Sequence, residues 1–167
     1  MAVYTKFSKD DIESILSNYS IGSLNLFEGI SEGIENTNYF LLVDNKKYIL
    51  TIYEKRVKEE DLPFFSKLMS DLNKSNFKCP VPIINKNKNS ITEYKNKKLM
   101  IVSFVEGKAK KILSPKDCKL VGIEAARMHE ITKNFKISRE NDLSMKSWRK
   151  LFESIKDKSA EIHKDLP

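Results

Sequence analysis

The residues best equipped for chemistry form one short stretch. Two glycines four apart, Gly29 and Gly33, lead into a polar cluster of Glu35, Asn36, Thr37 and Asn38. Glycine lets the backbone approach a ligand closely, and successive N–H groups in a tight loop make a concavity suited to phosphate. Asn36, Thr37 and Asn38 add side-chain donors. The spacing is neither G-x-G-x-x-G nor a Walker loop closed by G-K-[ST]. Spacing alone therefore leaves two readings open, a phosphate cradle and a plain connector between strands.

The elements around this stretch must hold it. Tyr39 to Val43 and Tyr48 to Tyr53 are apolar runs rich in β-branched and aromatic residues, separated by Asp44-Asn45-Lys46-Lys47. They predict a β-hairpin with the glycine loop at its entrance. Upstream, Leu24 to Phe27 reads as a first strand. Ser8 to Tyr19 reads as a helix, with a capping-box start at Ser8 and Asp11 and a face of Ile12, Ile15, Leu16 and Tyr19.

Downstream, Asp61 is placed to cap a helix with an early Pro63 and an apolar stripe of Leu62, Phe65, Leu68, Met69 and Leu72, read as core. C-P-V-P-I-I at Cys79 to Ile84 is extended, because each residue before a proline is pushed from the helical region. Ser90 to Tyr94 and Leu99 to Val105 make a second hairpin across Lys95-Asn96-Lys97. After Glu106-Gly107-Lys108 the pattern turns helical. Ser114-Pro115-x-Asp117 starts a helix with Cys118, Val121, Ala125 and Met128 on one face. A last helix begins at Ser144, with Trp148, Leu151, Phe152, Ile155 and Ile162 in register.

Composition sets the class. The 167 residues are 40% hydrophobic and 32% charged, which fits one globular domain with a real core. The N-terminal residues contain no apolar signal-peptide core, and no run approaches a membrane span, so a cytoplasmic protein is expected. The net charge is +7, yet only Arg56, Arg127, Arg139 and Arg149 among the 30 basic residues are arginine. Dispersed lysine lacks the clustered arginine and interleaved aromatics of a nucleic-acid groove, and nucleic acid is not an expected partner. Cys79 and Cys118 lack metal-ligand spacing and are expected as reduced thiols.

A glycine loop in a small sheet lobe, then a helix, an apolar strand, a short joint and further helices is the element order of a kinase N-lobe and hinge. The loop E-G-I-E-N-T-N-Y resembles the G-x-x-N-x-x-Y loop of the aminoglycoside phosphotransferase and choline kinase superfamily. Within it the chain is most similar to the bacterial homoserine kinases. The residues carrying this are G-I-E-N-T-N-Y-F, Y-I-L-T-I-Y-E-K-R, D-L-P-F-F-x-x-L-M, C-P-V-P-I, V-S-F-V-E-G, A-A-R-M-H and S-W-R-K-L-F.

The resemblance implies an α+β protein-kinase-like fold. Residues 1–105 would be a nucleotide-binding N-lobe with a five-stranded antiparallel sheet, and residues 106–167 an incomplete helical C-lobe. It implies ATP-dependent phosphorylation of the hydroxyl of L-homoserine, a step of threonine biosynthesis, with Mg2+ held by ligands in a part of the family's C-lobe that this chain lacks. The loop from Ser31 through Gly33 to Asn36, Thr37 and Asn38 would cover the triphosphate. Val102, Ser103, Phe104, Val105 and Glu106 would form the hinge facing adenine, with Ile49 or Phe104 enclosing the base.

Two departures stand out. The superfamily often places a cationic residue on the third strand and a glutamate on the following helix; here these positions hold Thr51 and Phe65. Losing both is self-consistent, since a lone buried charge is costly. Lys55 and Arg56 lie nearby and read as a solvated strand end. The family's H-x-D-x-x-x-x-N catalytic loop is also lacking. His163-Lys164-Asp165-Leu166 imitates its start but continues a helical period and has no later asparagine, so no catalytic residue or metal ligand is assigned. His129 reads as a helix C-terminal residue easing the dipole. The expectation is therefore the N-terminal part of a homoserine kinase, inactive by itself. The alternatives are another small-molecule kinase, choline kinase-like, and a non-catalytic nucleotide-binding module.

Overall fold

The computed structural model describes residues 3–54, 57–142, 144–159 and 161. Helix α1 (Lys9–Leu16) starts where Ser8 and Asp11 close a reciprocal capping box, as their spacing predicts. The strands are β1 (Leu24–Ile30), β2 (Thr37–Val43), β3 (Lys46–Ile52), β4 (Ile91–Tyr94) and β5 (Lys97–Ser103), with helix α2 (Leu62–Lys74) between β3 and β4. They form one antiparallel sheet in the order β1-β2-β3-β5-β4. Helices α3 (Pro115–Thr132) and α4 (Met145–Ser159) follow.

Both hairpins close on two-residue turns in left-handed backbone: Asp44 and Asn45 at φ 44° and 63°, Lys95 and Asn96 at φ 48° and 59°. Such turns match the strand twist, and Asn and Asp tolerate that region best. They fix the register, pairing Val43 with Lys46 and Tyr94 with Lys97.

Register sorts the side chains by face. Tyr39, Leu41 and Val43 of β2, Tyr48, Leu50 and Ile52 of β3, and Leu99 and Ile101 of β5 alternate onto one side and pack with Ile12, Ile15 and Leu16 of α1. Leu41 and Leu50 are wholly enclosed, so truncating Leu50 to alanine would cost about 2–5 kcal/mol. The intervening residues Asn38, Phe40, Ile49, Thr51, Met100 and Val102 face the opposite way. On that side lies α2. The extended Pro segment continues the sheet edge, with a bridge from Pro82 to Val102 and bonds from Ile83 N–H to the Ile101 carbonyl and from Ser103 N–H to the Val81 carbonyl.

The chain groups into two compact units, Met1–Ile137 and Ser138–Pro167. In the first, α3 begins with a second capping box from Ser114 and Asp117. Arg127 ties it to the end of α2 by donating to the Asn76 carbonyl and lying over the Phe77 ring. No residue of α3 is buried: Ala125 and Met128 of its expected core face are half-buried, while Cys118 and Val121 are exposed. In the second unit, α4 leaves Leu151, Phe152 and Ile155 substantially exposed. No described helix is long and apolar enough to cross a membrane. Cys79 and Cys118 are free thiols.

Candidate functional site

On the sheet face away from α1 is a cleft of about 490 Å³. The loop and β2 contribute Glu35, Asn36 and Asn38, β3 contributes Ile49 and Thr51, and β5 contributes Val102. Phe65, Leu68 and Met69 of α2 form the facing wall. The α2 stripe is therefore divided, with Leu62 and Leu72 buried and its middle turned to the cleft. An amphipathic period marks a face as apolar without saying whether protein or a ligand covers it. Thr51 and Phe65, the two positions that depart from the superfamily's ion pair, line this same cleft.

The loop begins later and ends earlier than its sequence suggests. Gly29 lies inside β1, paired with Tyr39, and a Cβ there would stand 3.0 Å from Val3 Cγ2. Gly33 is the loop glycine proper, at φ +104°, a conformation open to glycine at no steric cost. Ser31 and Gly33 are exposed.

The polar cluster separates into different roles. Asn38 Oδ1 accepts a 2.8 Å hydrogen bond from the Thr51 hydroxyl, its partner across the β2–β3 pair. Asn36 Oδ1 accepts from the Glu54 N–H at 3.4 Å. Each carboxamide is thus held by its oxygen end, which leaves its NH2 group as the donor for a ligand. Thr37 corrects the sequence expectation. It is 0% exposed. Its hydroxyl accepts from the N–H groups of Tyr4 and Thr5 and donates to Glu54 Oε1. That oxygen is saturated by protein, so the Thr37 hydroxyl does not reach a ligand.

The hinge residues also divide. Val102 and Ile49 line the cleft. Ser103 is committed to the sheet edge, its N–H donating to Val81 and its hydroxyl accepting from the Val81 N–H. Phe104 packs edge-on against Phe40 at 5.6 Å, with its N–H on the Lys47 carbonyl. Glu106 pairs with Lys47 at 2.6 Å. Among the described residues, the N–H groups of Val105 and Glu106 have no protein partner.

Charge is sparse here. Glu35 is the only ionisable carboxylate among the described lining, and no described lysine or arginine lines the cleft. Lys55, Arg56 and the terminal His163-Lys164-Asp165-Leu166 lie outside the described residues. Tyr53, at the cleft wall, has its hydroxyl pushed up to about 12 by burial and stays protonated. Among the described residues, no group of three His, Cys, Asp or Glu side chains is arranged to hold a metal ion. Sequence reasoning missed Glu54 altogether, because its partners Thr5, Thr37 and Lys97 are remote in the chain.

Known proteins resemble this chain in sequence and in fold. The homoserine kinase of Beijerinckia indica subsp. indica is 39% identical over 159 residues, covering 95% of this chain and 50% of the relative. That of Paramagnetospirillum magneticum is 42% identical over 166 residues, covering 99% and 51%. The chain spans about half the length of the curated relatives it matches. Among solved structures, spectinomycin phosphotransferase in complex with ADP and spectinomycin superposes with a TM-score of 0.64 at 14% identity, over 92% of this chain and 48% of that one. At that identity the likeness speaks for the fold alone. The family model for phosphotransferase enzymes matches residues 27–165, and the chain belongs to that family.

Proposed function

We propose that this chain supplies the ATP-binding half of a homoserine kinase, which transfers the γ-phosphoryl group of ATP to the homoserine hydroxyl in threonine biosynthesis. The observation that carries the nucleotide reading is the make-up of one cleft. Its apolar lining, Ile49, Leu68, Met69 and Val102, suits a base, and the amides of Asn36 and Asn38 suit phosphate oxygens. The acceptor follows from the relatives, which are homoserine kinases.

On this reading residues 1–105 are the nucleotide-binding lobe and residues 106–167 the start of a helical lobe. The exposed loop from Ser31 through Gly33 covers the phosphates, and the N–H groups of Val105 and Glu106 face the adenine edge. Ser103 and Phe104 shape the hinge from behind. Phosphoryl transfer is chiefly positioning and charge neutralisation. Here the neutral amides do the positioning. Magnesium supplies the charge neutralisation in such reactions, and the described residues provide no cluster for it beyond Glu35 at the cleft.

The test has two arms. Calorimetry of the 167-residue chain with ATP is expected to show binding that Asn36→Ala weakens about tenfold or more, since a hydrogen bond to a charged group is worth about 1.5–3 kcal/mol. Homoserine-dependent ADP release is expected from a chimaera joining this chain to the remaining half of the Paramagnetospirillum magneticum relative. Unchanged ATP affinity in Asn36→Ala returns the loop to the role of connector. Turnover with choline in preference to homoserine would sink the acceptor assignment.

A further inference from the structure

The strongest feature outside the cleft is a half-buried carboxylate at its rim. Glu54 follows β3, and its side chain is 11% exposed. Its Oε1 accepts from the hydroxyls of Thr5 at 2.6 Å and Thr37 at 2.8 Å. Its Oε2 pairs with the Lys97 ammonium at 2.5 Å. Its own N–H donates to Asn36 Oδ1. One residue thereby joins the N-terminal arm, the first residue of β2, the start of β5 and the loop.

The arm makes the same connection from the other side. Tyr4 and Thr5 donate their N–H groups to Thr37 Oγ1. Tyr39 donates its hydroxyl to the Thr5 carbonyl and accepts from the Phe7 N–H. The Tyr4 hydroxyl donates to the Ile34 carbonyl within the loop itself, and Val3 lies against Gly29. Among the described residues the arm has no strand partner, and the side chains of Thr37 and Tyr39 accept from its N–H groups instead. Buried polar groups that are fully partnered fix a single arrangement, and removing one partner leaves the others unsatisfied.

We propose that Glu54 is a positioning residue: with the Val3–Phe7 arm it clamps the root of the glycine loop and sets Asn36 and Asn38 toward the cleft. Burial pushes its carboxyl up, but the Lys97 ammonium and the Thr5 and Thr37 hydroxyls outweigh this and hold it below the usual glutamate range. The clamp is therefore charged at neutral pH and opens only in acid. The clamp itself stands on geometry; its effect on ligand affinity rests on the nucleotide reading above.

The experiment compares amide hydrogen exchange in the full 167-residue chain and in Glu54→Gln, without nucleotide. Glutamine keeps one acceptor oxygen but turns an NH2 group toward the Lys97 ammonium. Protection of the Tyr4, Thr5 and Glu54 amides, which the clamp holds, is expected to fall about fivefold or more, while residues 39–52 keep theirs. Thr5→Val, which exchanges one hydroxyl for a methyl group, is expected to loosen the same amides less, and serves if Glu54→Gln fails to fold. In the wild-type chain, protection of these amides is expected to drop as pH falls below the usual glutamate range, and in Glu54→Gln to lose that dependence. Wild-type protection of those three amides in Glu54→Gln would overturn the clamp, as would equal loosening of the whole sheet. ATP affinity is then measured on the same proteins. Localised loosening in a chain that binds no ATP would uphold the clamp and sink the nucleotide reading.

Discussion

The Thr51 hydroxyl donates to Asn38 Oδ1 across the β2–β3 pair at 2.8 Å. Where the wider superfamily often carries a cation on this strand, the chain has a hydroxyl whose only described bond orients a neighbouring amide. On the nucleotide reading proposed above, the described lining would offer phosphate a fixed dipole rather than a fixed charge. Thr51→Val keeps the shape and removes the bond. A net hydrogen bond is worth about 0.5–1.5 kcal/mol, so ATP affinity is expected to fall roughly threefold to tenfold with little change in melting temperature. Calorimetry checks it; a Thr51→Val chain that binds ATP as the wild type does would show that the amide needs no such orientation.

Much of this architecture was legible because it is local. The capping boxes at Ser8 and Ser114 need only three-residue spacing, and the two hairpins announce themselves by alternation around Asp44-Asn45 and Lys95-Asn96. What was hidden depends on distant partners. Thr37 sits in a polar run, so it reads as a loop donor, yet β2 starts one residue after Asn36 and turns Thr37 inward to Thr5 and Glu54. Glu54 ends an apolar strand like any solvated carboxylate, and only the fold brings Lys97 to it. Phe65, Leu68 and Met69 carry a core-like period but line a cleft.

Asp11 makes a second long-range anchor, and its pH dependence has a definite sign. The Lys95 ammonium at 2.7 Å, the Ser8 N–H and the Tyr94 hydroxyl hold its carboxyl well below the usual aspartate range, with burial opposing them. A depressed carboxylate contributes stability in full above the unfolded-state pKa of about 3.9, and loses it as pH falls through the folded value. Asp11→Asn is therefore expected to melt at lower temperature than the wild type at neutral pH, with the gap closing in acid. A gap that stays constant from pH 7 to pH 2 would mean the charge contributes nothing.

The helices after the joint carry exposed apolar side chains: Leu120, Val121 and Ile123 on α3 and, in the second unit, Leu151, Phe152 and Ile155 on α4. Contiguous apolar surface on a soluble chain promotes association. The 167-residue chain is expected to bind a hydrophobic dye and to self-associate with rising concentration. Replacing Val121 and Ile123 by lysine is expected to cut both, at little cost to stability because α3 has no buried residue. A monodisperse wild-type monomer that leaves the dye dark contradicts this.

The last prediction is that this chain by itself does not transfer phosphate to homoserine. The reaction needs a held nucleotide, metal bridging its phosphates, and a carboxylate that orients or accepts the proton of the attacking hydroxyl. On the reading proposed above, the cleft would meet the first need. The described carboxylates are largely committed elsewhere: Asp11 and Asp117 to helix caps and lysines, Glu54 to the loop clamp, Asp71 to Lys67 and Lys74, and Glu93 to Lys98. Glu35 alone lines the cleft, and among the described residues it has no second carboxylate arranged with it for a metal. A coupled ADP assay with ATP, magnesium and homoserine is expected to read background for the 167-residue chain while calorimetry registers ATP binding. Turnover abolished by Glu35→Gln would instead make Glu35 the working carboxylate. Turnover abolished by Asp165→Asn would assign that role to the terminal His163-Lys164-Asp165-Leu166, against its reading as a continuation of the helical period.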